Sequence, residues 1–275
     1  MFHKNQTQMK NNSSYILMLV MFLSFLSFSV KKVEKDKDND YKVIKVQGAI
    51  INKKSGKSLA QGDVFKENTP LTFQTEDAKA TVINAEKGRF VLTKNAKGGN
   101  LIPAINNIAS RSGAILNLID LQNYFQGKLC VIDELKTKIS GSDFKMDNAS
   151  FFYIEYKFKG ETIAKKLDFI NDTLIIKKSN LYKVDGNPIE KPDNEDVTLY
   201  YKNGKESKTI KVADFTMLFP EAKELELEVK IILDELKDKT TDKKIEEVGS
   251  YLNEFYGKTN KTNITTYLRD YFGVK

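Results

Sequence analysis

The sequence predicts an α+β protein: a β-rich, sandwich- or barrel-like body followed by a small helical C-terminal region. Three observations carry this. Between Tyr41 and Thr93, short runs alternate apolar with polar residues and are separated by turn residues. Between Phe151 and Phe215, two aromatic-rich stretches repeat one hairpin-like pattern. Near Pro220 the apolar spacing changes from a period of two to the helical period.

Taken in order, Lys4 and Lys10 precede an unbroken apolar run from Tyr15 to Leu23, extended through Val30. A basic head, a short apolar stretch and small residues at Ser27 and Ser29 have the layout of a secretory signal peptide over residues 1–30. The run is short of the ~20 apolar residues a membrane span needs. Lys31 and Lys32 nevertheless favour retention of a signal anchor formed by residues 15–30. Cleavage is the expected outcome and anchoring the alternative. Residues 31–40, which end in VEKDKDND, have too little apolar content to fold and read as a charged linker.

Residues 41–93 form the first β unit. Tyr41 to Val46 alternates apart from Ile44, and a face that repeats every second residue is a strand with one side buried. Asn52 to Lys57 reads as a hairpin turn, and Gly62-Asp63, Asn68-Thr69-Pro70 and Glu86-Lys87-Gly88 as further turns. Leu71 to Thr75 and Ala78 to Val82 alternate cleanly, and Arg89 to Leu92 closes the unit.

This order of features resembles the FecR-type periplasmic domain. The matching positions are Val46 and Gly48, then Leu59, Gly62 and Asp63, then Leu71, Phe73 and Thr75, then Ala78, Ala80 and Val82, then Gly88 and Leu92. The resemblance covers this unit alone. It implies an exported β domain of a bacterial envelope. FecR-type regulators place an anti-sigma region before their membrane span, so the resemblance extends to the sensing half only.

Residues 94–215 form a β-rich region. It begins with the irregular stretch 94–113, where Arg111 is a candidate anion-binding residue. Residues 114–125 read as a short helix stopped by Gly127, and residues 128–139 as a strand pair or bent strand. The stretch from Phe151 to Phe169 and that from Val197 to Phe215 each give an aromatic-rich strand, a Lys/Gly/Glu turn and a return strand ending in Asp-Phe. They read as two copies of one hairpin in one sheet, with Asn203-Gly204 as a strong turn signal. Their tyrosines suit either cross-strand packing or stacking on sugar rings.

In the helical region, residues 216–275, Pro220 fits the first turn of a helix. Ala222, Leu225, Val229, Ile232, Leu233 and Leu236 then share one face. Asp242 is the expected cap of a second helix bearing Ile245, Val248, Leu252 and Phe255. Asn263 is the expected cap of a third bearing Ile264, Leu268 and Tyr271. Phe255, Tyr256, Tyr271 and Phe272 are expected to contact the β body or a partner, with Tyr256, Tyr271 and Phe272 as candidate binding residues.

Several chemistries lack their residues. His3 is the only histidine and lies in the segment expected to be removed, which leaves no imidazole for Ser-His-Asp or Cys-His catalysis or for metal ligation. No phosphate-binding glycine loop or EF-hand pattern is present. The lone Cys130, within Leu129-Cys130-Val131-Ile132, rules out an intrachain disulfide and reads as a small buried apolar residue. The net charge of +7 comes almost wholly from lysine, since Arg89, Arg111 and Arg269 are the only arginines. Nucleic-acid readers favour arginine and aromatics on one basic face, so no nucleic acid is expected.

The resulting expectation is a non-catalytic binding or signalling/structural module of the bacterial envelope, in the periplasm or at the cell surface. It needs no metal or cofactor and meets an envelope protein or an anionic glycan. Membrane contact is expected only through residues 15–30, if uncleaved. The alternatives are a membrane-anchored FecR-like sensor lacking the anti-sigma region, and a carboxylate-dependent polysaccharide hydrolase using residues such as Asp168 and Asp214.

Overall fold

A computed structural model of the chain describes residues 39–94, 101–104, 115–140 and 142–275. The expected signal peptide, nearly all of the charged linker, and Arg111 with most of its segment lie outside the described residues. The described chain is α+β, with antiparallel sheets followed by C-terminal helices.

The first unit contains β1 (Asp40–Gln47), β2 (Ile50–Asn52), β3 (Lys57–Ser58), β4 (Val64–Lys66), β5 (Leu71–Phe73), β6 (Lys79–Asn84), β7 (Gly88–Thr93) and β8 (Leu101–Pro103). They form one sheet ordered β4-β1-β6-β7-β8 and a small one ordered β3-β2-β5. The unit does not close at Leu92, because β8 pairs with β7 and extends the sheet. Ile44 breaks the alternation because the β1–β6 register shifts between Val43 and Lys45. A bulge of this kind reverses the phase of the strand. Tyr41, Val43 and Val46 thereby face the β core, while Ile44 joins the helical core.

The second unit is built on a sheet ordered β12-β11-β17-β18-β9. Its strands are β9 (Lys128–Cys130), β11 (Phe151–Phe158), β12 (Glu161–Lys166), β17 (Asp196–Asn203) and β18 (Lys208–Leu218). The two similar hairpins thus lie side by side in one sheet, joined through β11 and β17, but the first return strand ends at Lys166 and its expected Asp168-Phe169 end falls in a strand of another sheet. The expected strand pair over 128–139 is split. β9 runs parallel to β18, whereas β10 (Glu134–Lys138) joins β13 (Asp168–Ile170) and β14 (Thr173–Lys177) in a second sheet. A turn through Asp133, with φ 58°, separates them. The two sheets enclose a core with α1 (Leu118–Tyr124) and α2 (Lys178–Leu181), which contribute Leu121 and Leu181. A short β15 (Lys183–Val184) and β16 (Asn187–Pro188) pair follows. The Asn203-Gly204 signal marks the β17–β18 hairpin, but the connection is four residues, with Asn203 opposite Lys208 and the left-handed residue at Ser207. Gly204 serves space instead: a Cβ there would stand 2.5 Å from the Ala149 carbonyl oxygen.

The helices are α3 (Ala222–Glu235), α4 (Thr241–Phe255) and α5 (Lys261–Phe272). Thr240, not Asp242, caps α4, and Asn260, not Asn263, caps α5. Asp242 and Asn263 already lie within the first turns. A cap needs extended backbone and a side chain that reaches the third helical amide. Thr240 does this for the amide of Lys243, and Asn260 for those of Thr262 and Asn263. The helical core holds Leu225, Val229, Ile232, Ile245, Val248, Tyr251, Leu252, Ile264 and Leu268 together with Ile44 and Ile83 of the first sheet. That sheet is therefore covered on both faces. Tyr251 and Tyr267 are the deeply placed aromatics; Phe255, Tyr256 and Phe272 pack at the edge. Tyr271, expected on the inner face, is 63% exposed. Ile264, Tyr267, Leu268 and Tyr271 share one face at i, i+3, i+4 and i+7, but Tyr271 lies in the last turn of α5, next to its end at Phe272, and stays exposed.

Two buried polar contacts set the helices on the first sheet. Lys45 Nζ lies 2.6 Å from Glu224 and 2.7 Å from Glu228, whose side chain is fully buried. Arg89, also fully buried, pairs with Glu254 and lies 3.6 Å from Glu247. A main-chain tie holds the helices to the second sheet. The Lys258 amide donates to the Lys128 carbonyl, and the Cys130 amide donates to the Lys258 carbonyl. Gly257 allows this approach, because a Cβ there would stand 2.6 Å from the Lys128 carbonyl oxygen.

Candidate functional site

Alternation sorts the aromatics of the second sheet into two sets. Phe152, Tyr156 and Tyr201 point into the core, where the Tyr156 hydroxyl donates to the Leu181 carbonyl and the Tyr201 hydroxyl to the Lys145 carbonyl. Phe151, Tyr153 and Tyr200 point to the other face and are half-buried. Register brings this second set together. Tyr153 is opposite Tyr200, and Phe151 is opposite Lys202. The two tyrosine rings stack with centroids 5.0 Å apart and planes 12° apart. Lys166 and Lys202 place their ammonium groups 4.3 Å and 5.6 Å from the Phe151 ring centroid. Partial burial, then the Glu155 carboxylate, raise the pKa of both tyrosines above the ordinary phenol value, so both rings stay neutral. The result is a flat, open patch of three rings with lysines at its edge. Such a patch can stack on a sugar ring and pair with an anionic substituent.

The carboxylates considered for hydrolysis are not brought together. Asp168 lies on β13, where it accepts a hydrogen bond from the Asn180 side chain at 2.6 Å. Asp214 lies on β18 in the other sheet. Its neighbour is Asp196, across a shallow hollow of about 500 Å³ also lined by Gly127, Thr198 and Thr216. Lys211, 2.7 Å away, and the Thr198 hydroxyl hold the Asp214 carboxyl below its ordinary value. A glycosidase acid needs the opposite shift. Burial, then Glu228, push the Cys130 thiol up to about 12, which makes it a poor nucleophile.

The candidate binding residues of the C-terminus separate. Tyr256 is an internal strut: its hydroxyl accepts from Lys45 Nζ at 2.7 Å and donates to Glu228 at 2.8 Å. Phe272 packs against the helical core. Tyr271 alone of the three is open. It packs against Tyr267 with rings tilted by 39° and centroids 4.9 Å apart, at the wall of a groove that also holds Phe219 and Pro220. Sequence reasoning missed this groove because its lining comes from residues 131–133, from Phe219 to Glu226 at the entry to α3, and from α5, segments far apart in the chain. The rings of the sheet face were visible as an alternating pattern; only the pairing register shows that they meet.

No known family's sequence model matches the chain, and no characterised protein matches it in sequence. Among solved structures it is similar to the N-terminal four Ig domains of Dscam1 isoform 4.4, at 9% identity and a TM-score of 0.18. That alignment covers 65% of this chain and 45% of the other, and at this level it carries no argument about fold or role.

Proposed function

We propose that this chain is an exported, non-catalytic binding module of the bacterial cell envelope, and that the outer face of its second sheet holds an anionic glycan. The observation that carries the reading is the Phe151–Tyr153–Tyr200 patch with Lys166 and Lys202 beside it. The rings stand on the face turned away from the core and stay partly exposed, which leaves ring surface for a ligand to stack on. Export rests on the signal-like run of residues 1–30, and the envelope setting on the FecR-type pattern of residues 41–93. Within that resemblance, the role is the sensing half of such a regulator.

The test is affinity electrophoresis of the chain in gels containing polygalacturonate, with dextran as the neutral control. Retardation is expected in the first gel and not in the second. Replacing both Tyr153 and Tyr200 by alanine should weaken the retardation by about tenfold, the size expected from losing two stacked rings. Unchanged retardation in that variant would remove the sheet face from consideration. Polysaccharide turnover abolished by Asp214→Asn would overturn the non-catalytic reading.

A further inference from the structure

The groove beside Tyr271 is independent of the sheet face and has the opposite electrostatic character. Two adjoining hollows share Lys178, Phe219 and Glu221. The first, about 210 Å³, has buried Val131 and Leu225 in its floor and the Tyr267 and Tyr271 rings in its wall. The second, about 500 Å³, continues past Tyr182 and Met217.

The lining of these hollows carries Asp133, Glu190, Asp193, Glu195, Glu221 and Glu226 against only Lys178 and Lys191. This is a negative groove in a chain whose net charge is +7. Among the described residues, Asp133, Glu190, Glu195, Glu221 and Glu226 make no ion pair. Glu221 stands at the start of α3, whose positive end offsets part of its charge, while Glu226 lies beyond the first turn. Glu190, Glu195 and Asp133 lie away from any helix start of that length. Burial and then Glu226 push the Tyr267 hydroxyl up to about 12, so the ring wall stays neutral and keeps an electron-rich face.

We propose that this groove binds an extended, lysine- or arginine-bearing segment of another envelope protein, with an apolar side chain seated against Tyr267 and Tyr271 and its cations over the carboxylates. The exposed Tyr271 ring supplies a cation–π surface at the junction of the apolar and acidic parts. Two adjoining hollows that share a wall suit a segment that passes through both.

The test uses the full chain and a labelled eight-residue peptide alternating lysine with leucine, followed by fluorescence anisotropy at low salt. Binding is expected, and a glutamate-for-lysine peptide should not bind. Glu221→Lys combined with Glu226→Lys, both at exposed positions, should weaken binding by at least about tenfold. Tyr271→Ala should weaken it severalfold, and added salt should weaken it in every case. Glu161→Lys, at an exposed carboxylate outside the groove, should leave it unchanged, as should the Tyr153/Tyr200 double variant. Far-UV circular dichroism establishes that each variant is folded. Equal binding of the glutamate peptide, or no loss in the folded Glu221/Glu226 variant, would overturn the proposal while leaving the glycan reading untouched.

Discussion

Lys45→Met tests how the helices are held on the first sheet. The substitution keeps an unbranched side chain of similar length but removes the ammonium group 2.7 Å from Glu228. The Glu228 side chain has no exposed surface, whereas Lys45 retains 20%. Breaking a fully buried pair costs about 3–5 kcal/mol, most of it from the charge left behind. Two features reduce that figure here. The Tyr256 hydroxyl still donates to Glu228 at 2.8 Å, and water reaches the Lys45 site. The expected loss is therefore about 2–3 kcal/mol. In a body of this size each kcal/mol moves Tm by about 2–4 °C, so a fall of roughly 4–12 °C follows. Adding Glu228→Leu removes the orphaned charge and should recover more than half of the loss. Urea unfolding followed by far-UV circular dichroism measures both, which suits a chain without tryptophan. A loss below about 0.5 kcal/mol, or a double variant equal to the sum of its singles, would refute the reasoning.

Two further outcomes follow from the same contacts. Gly257→Ala should cost about 2–4 kcal/mol, because its Cβ meets the Lys128 carbonyl oxygen and its backbone holds φ 106°; hydrogen exchange should show lost protection at the Cys130 amide, and a retained signal there would contradict the tie. Stability should hold up to about pH 10 and fall above it. Burial and Glu228 raise Tyr251 and Tyr256, so folding favours the phenol; burial opposes the Lys45 charge, but Glu224, Glu228 and Tyr256 outweigh it and raise that group too. Every one of these folded-state values lies above its unfolded counterpart, so the stabilisation is complete below the unfolded values and is lost as pH rises through the folded ones. A urea midpoint unchanged between pH 9 and 12 would show that these groups are not linked to folding.

The sequence by itself determined the elements. Alternation of period two and the helical stripe after Pro220 are local patterns, set by which side of each element is apolar, and they survive in the structure as strands and helices. It also determined that Cys130 is buried and that the two aromatic hairpins are alike. Helix caps were legible only to within a few residues, because Thr240, Asp242, Asn260 and Asn263 are all good capping types and only backbone geometry chooses among them. What the tertiary structure decided is what meets what. Ile44 looked like a flaw in a strand until the bulge turned it toward helices nearly two hundred residues away. Phe255 and Tyr271 stand in equivalent places of two similar segments, Tyr251 to Gly257 and Tyr267 to Gly273, yet Phe255 packs against the helical core and Tyr271 is open. The groove beside Tyr271 gathers its charges from four separate stretches of chain. Charge and ring type are written in sequence, but their convergence depends on long-range packing, which no local period encodes.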